Sequence, residues 1–394
     1  MRNIEILGTN ALELLRWFRP GHASSRATLA ERSGLSSATV ARFTQQLLED
    51  GWLNEVSRGA SQVGRPAQWL QLSGERGAVI GVSLLPPAIQ VVCCDLNAAV
   101  IFGTQEALDL KKGAAGVLGA LERSLKGVAR EAAKRKLKLR RLGVALPGQW
   151  DPATGLSRTF PRVPDWGEVP VRQLAAGWTG LTTSLHGYAA SLAVGELAQR
   201  PDPVPRHMLC VEVAEHIAMG IVSNGGVVEG VCGNAGELGH ITIDPDGPVC
   251  YCGNRGCLET MATCTAVEEE IRQSDVASDV FKNPKQMGFD NVVQHAMKGN
   301  GFAQRLVQRC SRTLGMGLAV TANLFNPEKL VLSGRFFRRP ELVLEPIEAA
   351  IREHTLPNVH GHLKMEVSLF RENAAAHGAA MAALHETLVQ LGQG

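Results

Sequence analysis

The chain has no long apolar run. No window approaches the ~20 consecutive apolar residues of a membrane span. The first residues, Met1-Arg2-Asn3-Ile4-Glu5-Ile6-Leu7, carry Glu5 and are followed by Glu13, so they do not read as a secretory signal. Neither sign of charge dominates. Forty Lys and Arg stand against 38 Asp and Glu, a net charge of +2, which excludes a polycation acting through a global field. Any contact with nucleic acid must then come from a local surface. There is no short-period repeat and no low-complexity tract. A disulfide framework is also missing, because nine cysteines in 394 residues are odd in number and widely spread. What remains is a cytoplasmic globular chain, 45% hydrophobic and 20% charged, long enough for more than one domain.

Three of the nine cysteines stand close together. His240 is followed by Cys250-Tyr251-Cys252-Gly253-Asn254-Arg255-Gly256-Cys257-Leu258-Glu259. One imidazole and three thiols at this spacing can close a tetrahedral Zn2+ site. With four protein ligands no coordination position stays open, so the ion shapes a loop rather than activating water. Glu237 and Glu259 flank the set. The expectation is one structural zinc per chain, bracing a loop that presents Glu237, His240 and Glu259 to a small polar ligand. The plainer alternative is a zinc knuckle with no ligand beside it. Cys93 and Cys94 point to opposite faces of a strand and read as buried thiols.

Residues 1–72 read as a DNA-binding domain. Ile4, Leu7, Ala11, Leu12, Leu14 and Leu15 recur at helical spacing. A second helix fits residues 26–33, with Leu29 and Ala30 inward, and Gly34 breaks it. Ser36 or Ser37 caps a third, over residues 37–50, with Val40, Phe43, Leu47 and Leu48 on one face. Two strand-like runs follow, 52–56 and 68–72, joined by a basic loop. Helix, helix, turn, helix and wing form a layout whose third helix enters the major groove. Ser36, Ser37, Thr39, Arg42, Gln45 and Gln46 lie opposite its apolar face and are candidates for bases or phosphates, with Arg suiting guanine and Gln adenine. Arg58 and Arg65 of the loop could reach the backbone or a narrow minor groove. A helical protein–protein module is the alternative. One such unit grips few phosphates, so the partners expected are a double-stranded operator and a second copy, in a homodimer or homotetramer.

Residues 73–77, Ser-Gly-Glu-Arg-Gly, look like a linker. Beyond them strands alternate with helices, which implies an α/β body. Strand-like runs 78–84 and 89–96 read as a pair. Helices fit 113–136, 189–199, 302–324 and 374–391, and strands fit 142–145, 208–213, 217–222 and 330–332. The basic run 134–141 precedes a buried strand and reads as a solvated helix end.

The body resembles the ROK family of repressors and sugar kinases. The resemblance rests on three stretches: Gly236-Glu237-Leu238-Gly239-His240 with the cysteine run above; Gly143-Val144-Ala145-Leu146-Pro147-Gly148 with Val163-Pro164-Asp165-Trp166; and Asn326 through Gly334. It spans about residues 78–390. It implies two actin-like lobes with a cleft between them, residues 78–186 plus 375–394 forming the first lobe and 187–374 the second. It implies zinc at His240, Cys250, Cys252 and Cys257, and sugar hydroxyls facing Glu237, His240 and Glu259. Histidine can serve both, one ring nitrogen on metal and the other on the ligand.

The kinase parts of that resemblance are missing. Family kinases open with Asp-x-Gly-x-Thr, where this chain has Gly81-Val82-Ser83-Leu84-Leu85-Pro86-Pro87, and prolines lack backbone donors. Their second phosphate loop is Gly-Thr-Gly-rich, where this chain has Ala214-Glu215-His216-Ile217-Ala218, and Glu215 would repel phosphate. Their base is an Asp preceded by Asn, eight residues before a helical Glu. Counting back from Glu196 gives Gly187-Tyr188, and neither is a base near neutral pH. No kinase activity is expected. Arg162 stands where many relatives carry Asn, and a guanidinium there would suit a phosphate or carboxylate. The reading is a carbohydrate-responsive repressor with a sugar or sugar-phosphate effector. The alternatives are a sugar kinase bearing a DNA-binding domain, and a regulator whose input is another protein.

Overall fold

The computed structural model describes residues 11–56, 68–231, 233–274, 281, 287–370 and 373–393. The expected contributions of Ile4 and Leu7, and of the loop residues Arg58 and Arg65, lie outside these. The chain divides into two compact units, Met1–Asp202 with Ala375–Gly394, and Pro203–Ala374. No helix among the described residues is long and apolar enough to cross a membrane.

The first unit begins with a 3-10 turn, Ala11–Trp17, then β1 (Ser24–Ser25), α1 (Arg26–Ser33), α2 (Ser37–Glu49), β2 (Leu53–Val56) and β3 (Trp69–Leu72). The caps follow from side-chain chemistry. Ser25 and Ser36 accept the N–H groups of Thr28 and Thr39, while Gly34 closes α1 in the left-handed conformation (φ 73). Val40, Phe43 and Leu47 are buried, as their spacing predicts. The strands pair in the order β1-β3-β2, so the wing gains a third strand that two serines make.

The segment after the wing is tied down rather than loose. Ser73 donates its N–H to Trp52. Arg76 donates to the Gly51 carbonyl at 3.1 Å, and its guanidinium lies 5.2 Å from the Trp52 ring.

The body of this unit is a five-stranded sheet. β4 (Ala78–Leu85), β5 (Ala88–Asp95) and β6 (Val100–Ala107) form an antiparallel meander; β7 (Leu139–Leu146) and β8 (Thr183–Gly187) run parallel to β4. Both faces of β4 are covered. Ile80, Val82 and Leu84 pack on one side with Val117, Leu121, Leu125 and Val128 of α3 (Gly113–Lys134). Val79 packs on the other with Ala376, Ala380 and Leu384 of the last helix. A strand buried on both faces must read as a continuous apolar run, which is why the sequence shows it so clearly. Between β7 and β8 runs α4 (Val171–Thr179), and α5 (Tyr188–Ala198) follows β8.

Arg140 and Arg141 are not on a solvated helix end. Helix α3 stops at Lys134 and β7 begins at Leu139. Arg141 reaches Glu386 at 3.0 Å and Gln390 at 2.9 Å, while Arg140 donates to the Arg76 carbonyl at 2.7 Å.

The second unit repeats the plan. β9 (Met208–Val213), β10 (Ile217–Ser223) and β11 (Gly226–Val228) are antiparallel; β12 (Lys329–Ser333) and β13 (Lys364–Val367) run parallel to β9, giving the order β11-β10-β9-β12-β13. Helices α6 (Cys264–Gln273), α7 (Phe289–Met297), α8 (Gly301–Phe325) and α9 (Pro340–His354) complete its core through Val267, Val292, Leu314, Leu318 and Ile347. The expected α/β organisation, a helix-turn-helix domain followed by a strand–helix body, is borne out.

The last helix, α10 (Ala374–Gln393), belongs to the first unit. Its run of alanines lets it approach closely. A Cβ on Gly378 would meet the Ser191 carbonyl oxygen of α5 at 1.7 Å, so only glycine fits there. His377 is 1% exposed on this helix. Burial pulls its imidazole from 6.5 down to about 4, partly offset by the Ala98 backbone. The unfolded chain therefore takes up a proton near pH 6.5 while the folded chain stays neutral to about 4. Stability is complete above that window and falls as pH drops through it. Urea unfolding of wild type should weaken by about 2 kcal/mol from pH 7.5 to 5 relative to His377→Gln. Equal losses in the two proteins would remove His377 as the cause.

Candidate functional site

The cysteine loop is a small folded knuckle on the second unit. The chain leaves β11, makes a 3-10 turn at Leu238–His240, and doubles back through residues 241–257. Ile243 N–H donates to Gly256 and Gly256 N–H to Pro248, each at 2.8 Å. Cys250 N–H donates to Asn254 at 2.8 Å, and Leu258 N–H to Ile241 at 3.0 Å. The doubling depends on Gly256, which sits at φ 63 with the Asp244 carbonyl oxygen 1.4 Å from where a Cβ would be.

This fold brings His240, Cys250, Cys252 and Cys257 together, with their ligand atoms all within 4.8 Å of one another. His240 Nδ1 is 3.6 Å from the Cys250 sulfur, and the sulfurs of Cys252 and Cys257 are 3.7 Å apart. A group so arranged can hold a metal ion. Burial pushes the Cys257 thiol up to about 12, with the hydrogen bonds its S–H gives to Cys252 and Cys250 adding to the rise. A buried thiol of this kind gives up its proton only when a cation compensates the charge.

With Nδ1 on the sulfur side, Nε2 of His240 faces outward. It lies 3.1 Å from the Tyr251 hydroxyl and 4.0 Å from a Glu237 carboxylate oxygen. Glu237 is exposed, and its carboxyl is raised above the ordinary value by loss of solvent and by Glu259, against the opposing pull of His240. Glu259 is 5% exposed, and one of its oxygens accepts the Ile217 N–H at 3.1 Å. It therefore ties the knuckle to the first residue of β10. Tyr251 is the neighbour that the sequence reading did not single out, although it stands between two of the cysteines.

Arg162 is exposed in the first unit, at φ 63. Three residues on, the Asp165 carboxylate accepts the Ala114 N–H at 3.1 and 3.2 Å, at the first turn of α3. Trp166 donates its indole N–H to Ser157 at 2.9 Å. The loop around Arg162 is thus pinned by buried and capping contacts.

The positions expected to lack kinase chemistry have the following surroundings. The β4–β5 connection is Pro86-Pro87 alone, so it presents no backbone N–H. Tyr188 is buried at the start of α5. His186 Nε2 is 3.0 Å from Ser184 Oγ and 3.6 Å from Glu386. Glu215 is not a bare charge. It pairs with Arg335 at 2.7 Å, and Arg335 also meets Glu268 and Asp290, each at 3.3 Å. One guanidinium shared by three carboxylates, with Arg338 3.3 Å from Asp290 as a second cation, offsets the Glu215 charge only in part, so the turn stays net negative.

On α2 the residues Ser37, Arg42, Gln45 and Gln46 are exposed together with Ala38, Ala41 and Glu49. Ser36 and Thr39 are engaged with each other, hydroxyl to hydroxyl at 2.9 Å, as part of the cap. Gln45 donates its amide to Glu49 at 2.9 Å. Ala38 and Ala41 were missed by the sequence reading because alanine carries no chemistry of its own. Their place on the polar face leaves the helix surface low between Ser37 and Gln45.

Comparison with known proteins agrees with these parts. Residues 98–386 match the model of the ROK family, and residues 9–57 match the IclR helix-turn-helix domain. The DNA-binding transcriptional dual regulator NagC of Escherichia coli (strain K12) is 31% identical over 350 residues, covering 84% of this chain and 82% of its own. A solved ROK family transcriptional regulator, described as a homologue of the E. coli MLC protein, matches with a TM-score of 0.78 at 25% identity, over 98% of this chain and 99% of its own. The ROK family glucokinase of Streptomyces griseus shares the fold, with a TM-score of 0.69 at 24% identity over 78% of this chain and 99% of its own. With a family match over most of its length and a helix-turn-helix domain ahead of it, the chain belongs to the ROK family.

Proposed function

We propose that the protein is a cytoplasmic transcriptional repressor of carbohydrate-use genes that has no kinase activity. Residues 1–72 hold a double-stranded operator, in a homodimer or homotetramer. Ser37, Arg42, Gln45 and Gln46 meet base edges, Ser36 and Thr39 set the start of the helix near phosphate, and Arg58 and Arg65 reach the backbone. A sugar or sugar phosphate is the effector, held by Glu237, His240, Glu259 and Arg162 in a cleft of the body. The observation that carries this reading is a helix-turn-helix domain ahead of a ROK body whose first phosphate-loop position is Pro86-Pro87 and whose base position is Tyr188.

Zinc is the ion the cluster suits. Zn–S bonds of about 2.3 Å and Zn–N bonds of about 2.0–2.1 Å at tetrahedral angles put sulfurs about 3.8 Å apart and sulfur about 3.6 Å from nitrogen. Two of the six separations here, 3.7 and 3.6 Å, match these values, and all six lie within 4.8 Å. Zinc supplies a fixed cross-link and no open coordination position. His240, Cys250, Cys252 and Cys257 hold it, His240 keeps Nε2 toward the effector, and Glu237 accepts hydrogen bonds from hydroxyls there. Arg162 favours an anionic sugar over a neutral one.

Two measurements test the reading. Purified protein with ATP and glucose, N-acetylglucosamine or xylose should produce no ADP above a protein-free control; steady turnover would establish the kinase alternative. In a thermal-shift screen of the same sugars and their phosphates, the phosphates should stabilise the protein most. Neutral sugars outcompeting their phosphates would remove Arg162 from the site.

A further inference from the structure

Two side chains of the reading domain reach into the body of the first unit. The Arg19 guanidinium donates to the carbonyls of Leu197 at 2.6 Å, Arg200 at 2.5 Å and Ala198 at 3.4 Å, and meets the Asp202 carboxylate at 3.0 Å. His22 Nε2 lies 2.9 Å from the Ala198 carbonyl. Leu197 and Ala198 are the last two residues of α5 and Arg200 lies two residues beyond it, where the chain turns out of the helix; the Leu197 carbonyl also accepts the Arg200 N–H at 3.2 Å. A cation there also meets the negative end of the helix dipole. Arg32, in the last turn of α1, makes a longer approach to Asp202 at 3.6 Å.

The place of this contact in the chain gives it meaning. The chain leaves the first unit after Asp202 and returns at Ala375. On the return side α10 begins, and the reading domain packs on it as well. Leu14, Leu15 and Phe18 share one core cluster with Ala376, Ala380, Leu384 and Leu388. Gly21 donates its N–H to the Asn97 side chain at 3.2 Å. The reading domain therefore holds both elements at whose ends the chain crosses between units. One hold is apolar and tolerant of sliding. The other, Arg19, is directional.

We propose that Arg19 is a coupling latch that ties the position of α2 to the course of the chain at Asp202–Pro203. This rests on the regulator reading above and supplies its regulation. The guanidinium has a rigid planar fork of donors, so one arrangement of three carbonyls and a carboxylate satisfies it. Arg19 is part-buried, its side chain 18% exposed, so water only partly replaces a lost carbonyl acceptor. Any shift of the chain at Asp202 must either carry the reading domain with it or release Arg19. Both change the spacing of two α2 helices in a dimer, and half-site spacing decides operator affinity. An effector that favours one course of the chain thereby acts on DNA binding.

The test compares full-length wild type, Arg19→Ala and Arg19→Lys. Without any ligand, hydrogen exchange of amides 11–18 and 197–202 should speed up about tenfold in Arg19→Ala, and by less in Arg19→Lys, which keeps the charge but not the fork. Unchanged exchange at 197–202 in both variants would overturn the latch. In the second arm the probes are glucose 6-phosphate, N-acetylglucosamine 6-phosphate and a duplex enriched from a random pool by wild-type protein. Wild-type affinity for the duplex should change about 5- to 150-fold with the sugar phosphate that raises its melting temperature. Arg19→Ala should keep that melting shift and lose the change in DNA affinity. A full affinity change in Arg19→Ala would overturn the proposal. If neither sugar phosphate affects wild type, the effector reading fails by itself and the exchange arm decides the latch.

Discussion

Cys257→Ser is expected to strip the zinc from the protein and loosen the whole knuckle from His240 to Glu259. Metal analysis should show one zinc per chain in wild type and little in the variant. The size of the effect follows from the ligand set. Structural zinc sites of this type contribute roughly 10–16 kcal/mol of binding free energy, and a serine hydroxyl does not replace a thiolate. The knuckle has few other means of staying closed. Apart from Cys250, residues 249–255 are exposed, held by a few backbone hydrogen bonds, by Arg255 donating to the Gly247 carbonyl and by Tyr251 beside His240. A second variant separates the metal from the fold. Gly256→Ala touches no ligand atom, yet its Cβ would overlap the Asp244 carbonyl at a left-handed position. It should lose zinc nearly as completely as Cys257→Ser, because the loop cannot double back to bring Cys257 toward Cys252. The consequence should reach β10. Glu259 follows Cys257 by two residues and accepts the Ile217 N–H, so hydrogen exchange at Ile217 should rise in both variants. Full zinc content in Cys257→Ser would mean that a different set of ligands holds the ion.

The metal set was legible because its four residues span only 18 positions and their chemistry is specific. The caps of α1 and α2 were legible for a similar reason, since a serine before an amphipathic run and a glycine after it act on their own neighbours. β4 and β5 stood out because burial on both faces makes a strand continuously apolar. What escaped was set by partners far along the chain. β1 is two serines, Ser24 and Ser25, that become a strand only by pairing with Leu70 and Trp69. β6 is mostly exposed at its outer edge of the sheet and carries no apolar alternation. Glu215 looked like a bare charge until Arg335, 120 residues later, was placed beside it. Arg140 and Arg141 looked like a solvated run until Arg76 and Glu386 appeared as their partners. The linker at 73–77 looked loose because nothing local shows that Arg76 will lie over Trp52. Charge and polarity mark a residue as needing a partner; only the fold says which one.

Loss of DNA binding is the other large expected effect, and the face of α2 allows it to be separated from loss of fold. Arg42→Ala should weaken binding to a selected duplex by ~1–3 kcal/mol, concentrated at one base step, if its guanidinium reads guanine. Its removal leaves Val40 and Leu47 untouched and takes from the fold only a cation–π contact with the Phe43 ring, 5.1 Å from the guanidinium. Ala41→Glu should do far more. Ala41 is exposed beside Arg42, and glutamate is a good helix former, so the domain should keep its melting temperature. A carboxylate placed on the groove-facing side meets the phosphate field directly, and like charges brought together in an interface cost several kcal/mol. Binding should fall by at least about a hundredfold on specific and non-specific duplexes alike, because the repulsion does not depend on sequence. Glu49 provides the opposite case on the same helix. It accepts the Gln45 amide, so Glu49→Gln should ease non-specific binding while freeing Gln45 to choose another partner. The three variants thus predict different signatures in one binding titration: a change at one base, a uniform loss, and a uniform gain with altered preference. If Ala41→Glu binds DNA as wild type does, α2 does not lie in the groove, and the surface that grips the duplex must be sought elsewhere on the domain.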